Sequence, residues 1–404
     1  DLPDRIEGMT ALKSLSVANN KLMRLPTVVC GLPYLQALVL DDNMIKELPE
    51  VLNRLVHLMN LSAAHNTINR LPAVLTGLRQ LRKLCLDGNP LGEIPASLLQ
   101  VSGLEVLSMR DCGLAVVPDG LTVLRSLREL QVADNALEGL PEMEAMEELK
   151  IVRLSNNKLQ QLPPTVVRLL GLEELSIAGN AVQKLPADFS RLTKLQLLQV
   201  DGENFDSVPQ EVVVQGGGCV LEFVKRVGVA HSTQRLDLSN MGLRSVPHAV
   251  IHLTALQHLN LSDNPLTTVP SSMVRLANLK SLILERTKVR SLPVELPGLY
   301  ELKELRVDAS EMLFPPASVC AEGLQATFQY LRKISGANVV GTLDLSGTGM
   351  REVPVDISHA GGIAKLDLSN NQITRLPPEL SLLSSLQSLE LEGNPLRPHL
   401  QDIA

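Results

Sequence analysis

Three glycines run together at residues 216–218, ahead of an apolar stretch that ends in Lys225-Arg226. A glycine run opening a helix can bring backbone N–H groups around a phosphate. That chemistry also needs a Gly-Lys-Ser/Thr ending, and Cys219-Val220 stand there instead. His248 and His252 are four apart and can share one helical face, but no carboxylate or cysteine joins them at metal-ligand spacing. The signatures GxSxG and HExxH and the kinase motifs are missing. The five cysteines (30, 85, 112, 219 and 320) are scattered, with no CxxC pair, so neither a zinc site nor a disulfide framework is expected. The residues that could do chemistry therefore point away from it. The chain reads as no enzyme, with no cofactor, no metal and no small-molecule substrate.

The composition fits that reading. The 404 residues are 45% apolar but only 2% aromatic, and tryptophan is absent. One branched residue used repeatedly explains such a core. Net charge is −7, which leaves no footprint for nucleic acid. No run of about 18 apolar residues suggests a membrane span. No signal peptide is visible, but Asp1 is not a start Met; the expected location is cytoplasmic, with a cytoskeletal or ciliary one as a special case.

The elements that must position any functional residue are repeats. LQALVLDDNMIKELPEVLNRLVH starts at Leu35, LRKLCLDGNPLGEIPASLLQVSG at Leu81 and LEELSIAGNAVQKLPADFSRLTK at Leu172. The template is LxxLxLxxNxLxxLPxxLxxLxx, and it recurs from Leu12 to Leu386 with one unit, opening at Leu127, a residue short. Its LxL core alternates with period two and predicts a short strand with leucines turned inward. The following Asn sits at a turn, where its amide can satisfy the backbone of a neighbouring coil, so stacked units predict an asparagine ladder. Cys112 occupies one ladder position, where a thiol can stand in. The LPxxLxxL half closes each coil with a helical or 3-10 turn. This pattern is identified as the leucine-rich repeat. It implies an α/β solenoid, a curved horseshoe with a parallel concave sheet of about 16 short strands and short helices or 3-10 turns on the convex side. Residues 1–404 form a single solenoid on this reading. Leu2-Pro3 already falls at the LP phase and Ala404 stops before a unit closes, so the natural chain is expected to extend at both ends.

Two units, Leu195 to Thr233 and Leu302 to Val340, span 38 residues each. PQEVVVQGGGCVLEFVKRVG (209–228) overlays PASVCAEGLQATFQYLRKIS (316–335), with Gly216 on Gly323 and Phe223 on Tyr330. A phosphate loop would not recur at one repeat phase with two of its glycines lost. Helical inserts at about 210–228 and 317–335 fit better. Gly216 and Gly323 would make the opening turn, the ring would pack inward, and the basic pair would lie near the helix C-terminus, where it suits the dipole. The ladder breaks beside both inserts, at Glu203, Met241, Ser310 and Thr348. Inserts of this form after LP-type units resemble the intracellular Ras-group leucine-rich repeat proteins. By that pattern a third copy is expected beyond Ala404, with Ile403 at the phase of Val212.

What remains is surface. The variable positions of the concave face include Lys83, Asp87, Arg110, Gln131 and Arg153, then Asp237, Glu285, Arg306, Asp308, Asp344, Asp367 and Glu390. Lys83, Arg110 and Arg153 are read as a basic spot. Asp344, Asp367 and Glu390 share one phase in successive strands, an acidic ridge that a basic partner would relieve. Cys85 is on the same face. Asn60-Leu61-Ser62 and Asn260-Leu261-Ser262 match the glycosylation sequon inside strand cores, where chance explains them. The expected function is a non-catalytic protein–protein interaction scaffold whose partners are other proteins, with no nucleic acid and no membrane. Two alternatives are a structural subunit of a large cytoskeletal or ciliary assembly, and the repeat portion of a larger Roco-type GTPase or kinase.

Overall fold

The computed structural model describes residues 4–186, 188–201, 208–353 and 362–396, with backbone alone at 4–5 and 336–340. Expectations resting on Leu2-Pro3, Glu203 and Ile403 lie outside the described residues.

Each template LxL becomes a three-residue strand. The first nine are Ser14–Ser16 (β1), Ala37–Val39 (β2), Asn60–Ser62 (β3), Lys83–Cys85 (β4), Val106–Ser108 (β5), Glu129–Gln131 (β6), Ile151–Arg153 (β7), Glu174–Ser176 (β8) and Leu197–Gln199 (β9). Arg235–Asp237 (β10), His258–Asn260 (β11), Ser281–Ile283 (β12) and Glu304–Arg306 (β13) follow, then Thr342–Asp344 (β14), Lys365–Asp367 (β15) and Ser388–Glu390 (β16). All pairings are parallel and keep the repeat phase, as in Leu38↔Leu61↔Leu84. The middle residue turns inward along the sheets, with Leu38, Leu107 and Leu130 fully buried, while Leu389 on the last strand is exposed. The strands do not join into one sheet. They form sheets of nine, four and three, and hydrogen bonding stops at each 38-residue unit. The chain divides into two compact units, Asp1–Lys225 and Arg226–Ala404.

The LP proline stands at the N-cap of the convex turn. Pro26, Pro49, Pro95, Pro118 and Pro163 each precede a five-residue 3-10 helix, with ψ between 134° and 146°. Proline fits because its carbonyl takes the first turn bond, as from Val29 N at 3.1 Å, while the N–H it lacks is not needed there.

The ladder is built by one geometry repeated. Asn43 Nδ2 donates to Val17 O, Leu40 O and Asp41 O at 3.0–3.1 Å, and its Oδ1 accepts from Leu22 N at 3.0 Å. Asn66, Asn89, Asn264 and Asn371 copy it. At Cys112 the thiol donates to Leu86 O at 3.2 Å and Arg110 O at 3.4 Å, the same two directions. Burial pushes that thiol up to about 11, so it stays protonated as a donor requires. The residue before each ladder position adopts positive φ, for example 56° at Asn19 and Asp42 and 59° at Asp134. Asn, Asp and Gly tolerate that conformation best, which explains the recurrent Asp-Asn, Asn-Asn and Gly-Asn pairs.

The inserts are helical, and both run past 228 and 335. Gln210–Val213 (α1) leads into Gly217–Thr233 (α2). After His248–Ile251 (α3), Ala317–Ala321 (α4) leads into Leu324–Val340 (α5). Gly216 and Gly323 both have φ of 98°, which an L side chain rarely adopts, so each makes the opening turn. Phe223 and Tyr330 are buried, as the overlay requires. The basic pairs are in mid-helix rather than near its end. The dipole account of them therefore fails, because tertiary packing prolongs each helix to the threshold of the next strand.

Candidate interaction face

The first and third residues of each strand point outward, on the side opposite the leucines. This face gathers the sequence-predicted residues and also shows how far each is already committed. Asp87 Oδ1 accepts from Ser108 Oγ at 2.6 Å and from Arg110 N at 2.8 Å, so it fixes the next coil. Asp41 does the same with Ser62 and Ala64 N. Arg110 pairs with Asp134 at 3.0 Å. The Asn156 amide and then Arg110 hold the Asp134 carboxyl below the usual range.

Arg153 is the most committed cation. Its Nε and Nη2 meet the Glu174 carboxylate at 2.7 and 2.9 Å, and its Nη1 meets Glu129 Oε1 at 3.0 Å. The Glu174 hydrogen bond raises its already high pKa further. Lys83 is on β4 and Arg153 on β7, three strand spacings or roughly 14 Å apart. Lys83, Arg110 and Arg153 therefore do not converge, and both arginines are neutralised by neighbours at repeat distance. Among the described residues, no carboxylate pairs with Lys83. Cys85 is half-buried beside Ser62, and burial raises its pKa, which disfavours the reactive thiolate.

The acidic column does converge. Asp344 faces Asp367, and Asp367 faces Glu390, in register. Much of its charge is met from within. Asp344 accepts from Ser346 N at 3.0 Å and Ser346 Oγ at 2.7 Å, Asp367 from Ser369 N at 2.9 Å, and Glu390 pairs with Lys365 at 2.9 Å. The Ser346 bonds, ahead of Lys333 and Lys365, hold the Asp344 carboxyl low. Asp237 is likewise tied to Ser239 N and Asn260, Asp308 to Arg286 N, and Arg306 to Glu304 at 2.6 Å. Glu285 lies 3.9 Å from Arg286.

Sequence reasoning passed over one row. Arg235 faces His258 in register across β10 and β11, and Lys280 immediately precedes β12. Their repeat phase was the available signal: Arg235 and His258 hold the first strand position. Burial, then Arg235 and Lys280, push the His258 imidazole below its ordinary pKa, while Glu304 opposes them.

Elsewhere chemistry is sparse. The glycine run is steric: a Cβ at Gly217 would be 1.6 Å from Leu198 O, so the start of α2 is filled by backbone. His248 and His252 do meet, edge to face at 4.6 Å. No group of three or more metal-ligating side chains occurs among the described residues. An open depression of about 610 Å³ lined by Glu144, Glu147, Arg168, Leu170 and Gly171 has its arginine paired with Glu144. No helix among the described residues is long and apolar enough to cross a membrane.

Comparison with known proteins agrees with the repeat. Residues 231–289 and 363–383 match leucine-rich repeat families, and residues 91–214 match the family described as "Leucine-rich repeat and WD repeat-containing protein 1, LRR". The chain thus carries leucine-rich repeats in an α/β solenoid fold. No curated protein matches it. Among solved structures, a Leptospira interrogans LRR protein is 25% identical, covering all of this chain and 83% of its own, with a TM-score of 0.49. The functional domain of InlJ from Listeria monocytogenes is 20% identical over 95% of this chain and 68% of its own, with a TM-score of 0.43. The Arabidopsis receptor kinase HAESA ectodomain, solved with a peptide hormone, is 23% identical over 98% and 76%, with a TM-score of 0.46.

Proposed function

We propose that the chain is a non-catalytic protein-interaction scaffold that binds through its strand face. One observation carries this reading. Backbone groups and ladder amides are consumed inside the coils, while the outward strand side chains stand in fixed register. A face ordered before it meets a partner loses little conformational entropy on binding. The hydrogen bonds from Ser108 to Asp87 and from Arg153 to Glu129 and Glu174 add to that order.

The test is crosslinking mass spectrometry on native complexes, with charge reversal at Lys83, Arg110 and Arg153, and separately at Asp344, Asp367 and Glu390. Crosslinks on strand-face positions that one reversal weakens support the scaffold. Crosslinks confined to the 3-10 turns and insert helices, indifferent to both reversals, reject it.

A further inference from the structure

We propose that Arg235, His258 and Lys280 form a docking site for an acidic peptide segment, a refinement that rests on the protein-interaction reading. In the nine-stranded sheet, Arg153 is flanked by Glu129 and Glu174 and is fully ion-paired. The face of β10–β12 offers no such arrangement. Arg235 is exposed, and among the described residues no carboxylate lies within ion-pair distance of it. The Lys280 ammonium reaches only an amide oxygen, Gln257 Oε1, at 2.9 Å. The carboxylate on the next strand is already used: Glu304 accepts from Ser281 Oγ at 2.7 Å and is held by Arg306.

Like charges opposite one another on a sheet destabilise it. This chain has an acidic net charge, yet here Arg235 and Lys280 flank His258 from the strands on either side, and neither is ion-paired to a carboxylate among the described residues. A carboxylate from outside completes what Glu129 and Glu174 complete for Arg153. Arg235 and Lys280 are about two strand spacings, or roughly 10 Å, apart, a span that flexible aspartate or glutamate side chains on one peptide segment can bridge.

Docking is coupled to protons. The groups facing His258 are Arg235 on β10, Lys280 ahead of β12 and Glu304 on β13. Partial burial, and then the two cations, disfavour the imidazolium. An arriving carboxylate offsets the cations and favours it, so binding takes up a proton. Affinity therefore rises as pH falls, by up to about tenfold per pH unit of pKa change induced on His258.

The experiment is fluorescence anisotropy of a labelled hexaglutamate peptide with the full chain at low ionic strength, near pH 6 and near pH 8. The expected result is saturable binding, tighter near pH 6. Arg235→Glu with Lys280→Glu should weaken it by about tenfold or more. His258→Gln should bind with the same affinity near pH 6 as near pH 8, because the group that takes up the proton is gone. Circular dichroism checks that each variant is folded. The inference is overturned if the peptide does not bind saturably, if the folded double reversal binds equally well, or if a uridine homopolymer of equal charge binds more tightly. Partner crosslinks that stay on the strand face while hexaglutamate fails to bind would reject this site and leave the scaffold standing.

Discussion

The two inserts open identically and close differently. Gly216 and Gly323 share a φ of 98°, and α2 and α5 have 17 residues each. The next residue is Gly217 in the first insert and Leu324 in the second. Gly217 lets the start of α2 press against Leu198 O on β9, leaving no room for a side chain. At the second insert bulk does the work: Phe314 and Tyr330 meet edge to face at 5.9 Å, and Tyr330 Oη donates to Met350 Sδ at 3.0 Å.

The basic pairs differ in the same way. Within an unbroken sheet, the carbonyl of the last strand residue and the one two further on accept from the preceding coil, as Val39 O and Asp41 O do from Val17 N and Asn19 N. At β10 the equivalent carbonyls, Asp237 O and Ser239 O, instead accept from Arg226 Nη1 at 3.2 Å each. Lys225 Nζ donates to Leu195 O at 2.9 Å. Arg332 and Lys333, the matching pair, are exposed; Arg332 lies 5.8 Å from the Phe328 ring centroid. One insert is closed by charged donors on strand-edge carbonyls, the other by aromatic packing.

Exchanging the opening residues attacks that contrast hardest. Gly217→Leu places a side chain where even a Cβ cannot fit, and should cost about 4 kcal/mol or more. Hydrogen exchange should show the loss centred on β9. The reverse change, Leu324→Gly, removes a half-buried side chain and adds helix flexibility, for about 1–2 kcal/mol. Equal costs in chemical denaturation would mean that close approach does not separate the two inserts.

The buried rings come next. Phe223→Ala and Tyr330→Ala should each cost about 3–4 kcal/mol by cavity formation. Tyr330→Phe keeps the ring and loses only the bond to Met350, about 1 kcal/mol or less. Its signature is pH dependence. Burial raises the Tyr330 pKa above the ordinary value of about 10. The stability it contributes is therefore complete below that value and is lost as pH rises through it toward the folded-state pKa. Denaturation midpoints should fall for the parent chain above about pH 10 and fall less for Tyr330→Phe.

The parts legible in sequence were those set by local rules. The LxL strands, the convex turns, the ladder with its thiol at Cys112, and the glycine turns at Gly216 and Gly323 all follow from spacing and residue chemistry. The sheet breaks were not legible, because they depend on a helix taking the position of a neighbouring coil. That also explains the ladder gap at Met241. A ladder amide donates back to a coil 26 residues earlier, and the chain 26 residues before Met241 is the turn between α1 and α2. Thr348, after the second insert, bonds back within its own turn to Leu345 O and forward to Asn371. The strand face was legible as a set of positions but not as charges. Arg153 reads as free until Glu129 and Glu174 are seen at repeat distance, and Arg235 reads as ordinary until its lack of such neighbours is seen.

The smallest effects test the charged closure itself. Arg226→Met keeps the apolar stem and removes the donor, leaving the carbonyls of Asp237 and Ser239 without it. The cost should be about 1–2 kcal/mol, because those acceptors lose a charge-assisted bond. Lys333→Met at the matching position should change stability by no more than about 0.5 kcal/mol, since that side chain is exposed and carries no such bond. A difference of this sign between two equivalent positions is hard to obtain from general charge effects, because each change removes one positive charge from a helix of the same length. If Lys333→Met proved as costly as Arg226→Met, both basic residues would serve their helices rather than the strand edge, and the arginine would lose its part in closing β10.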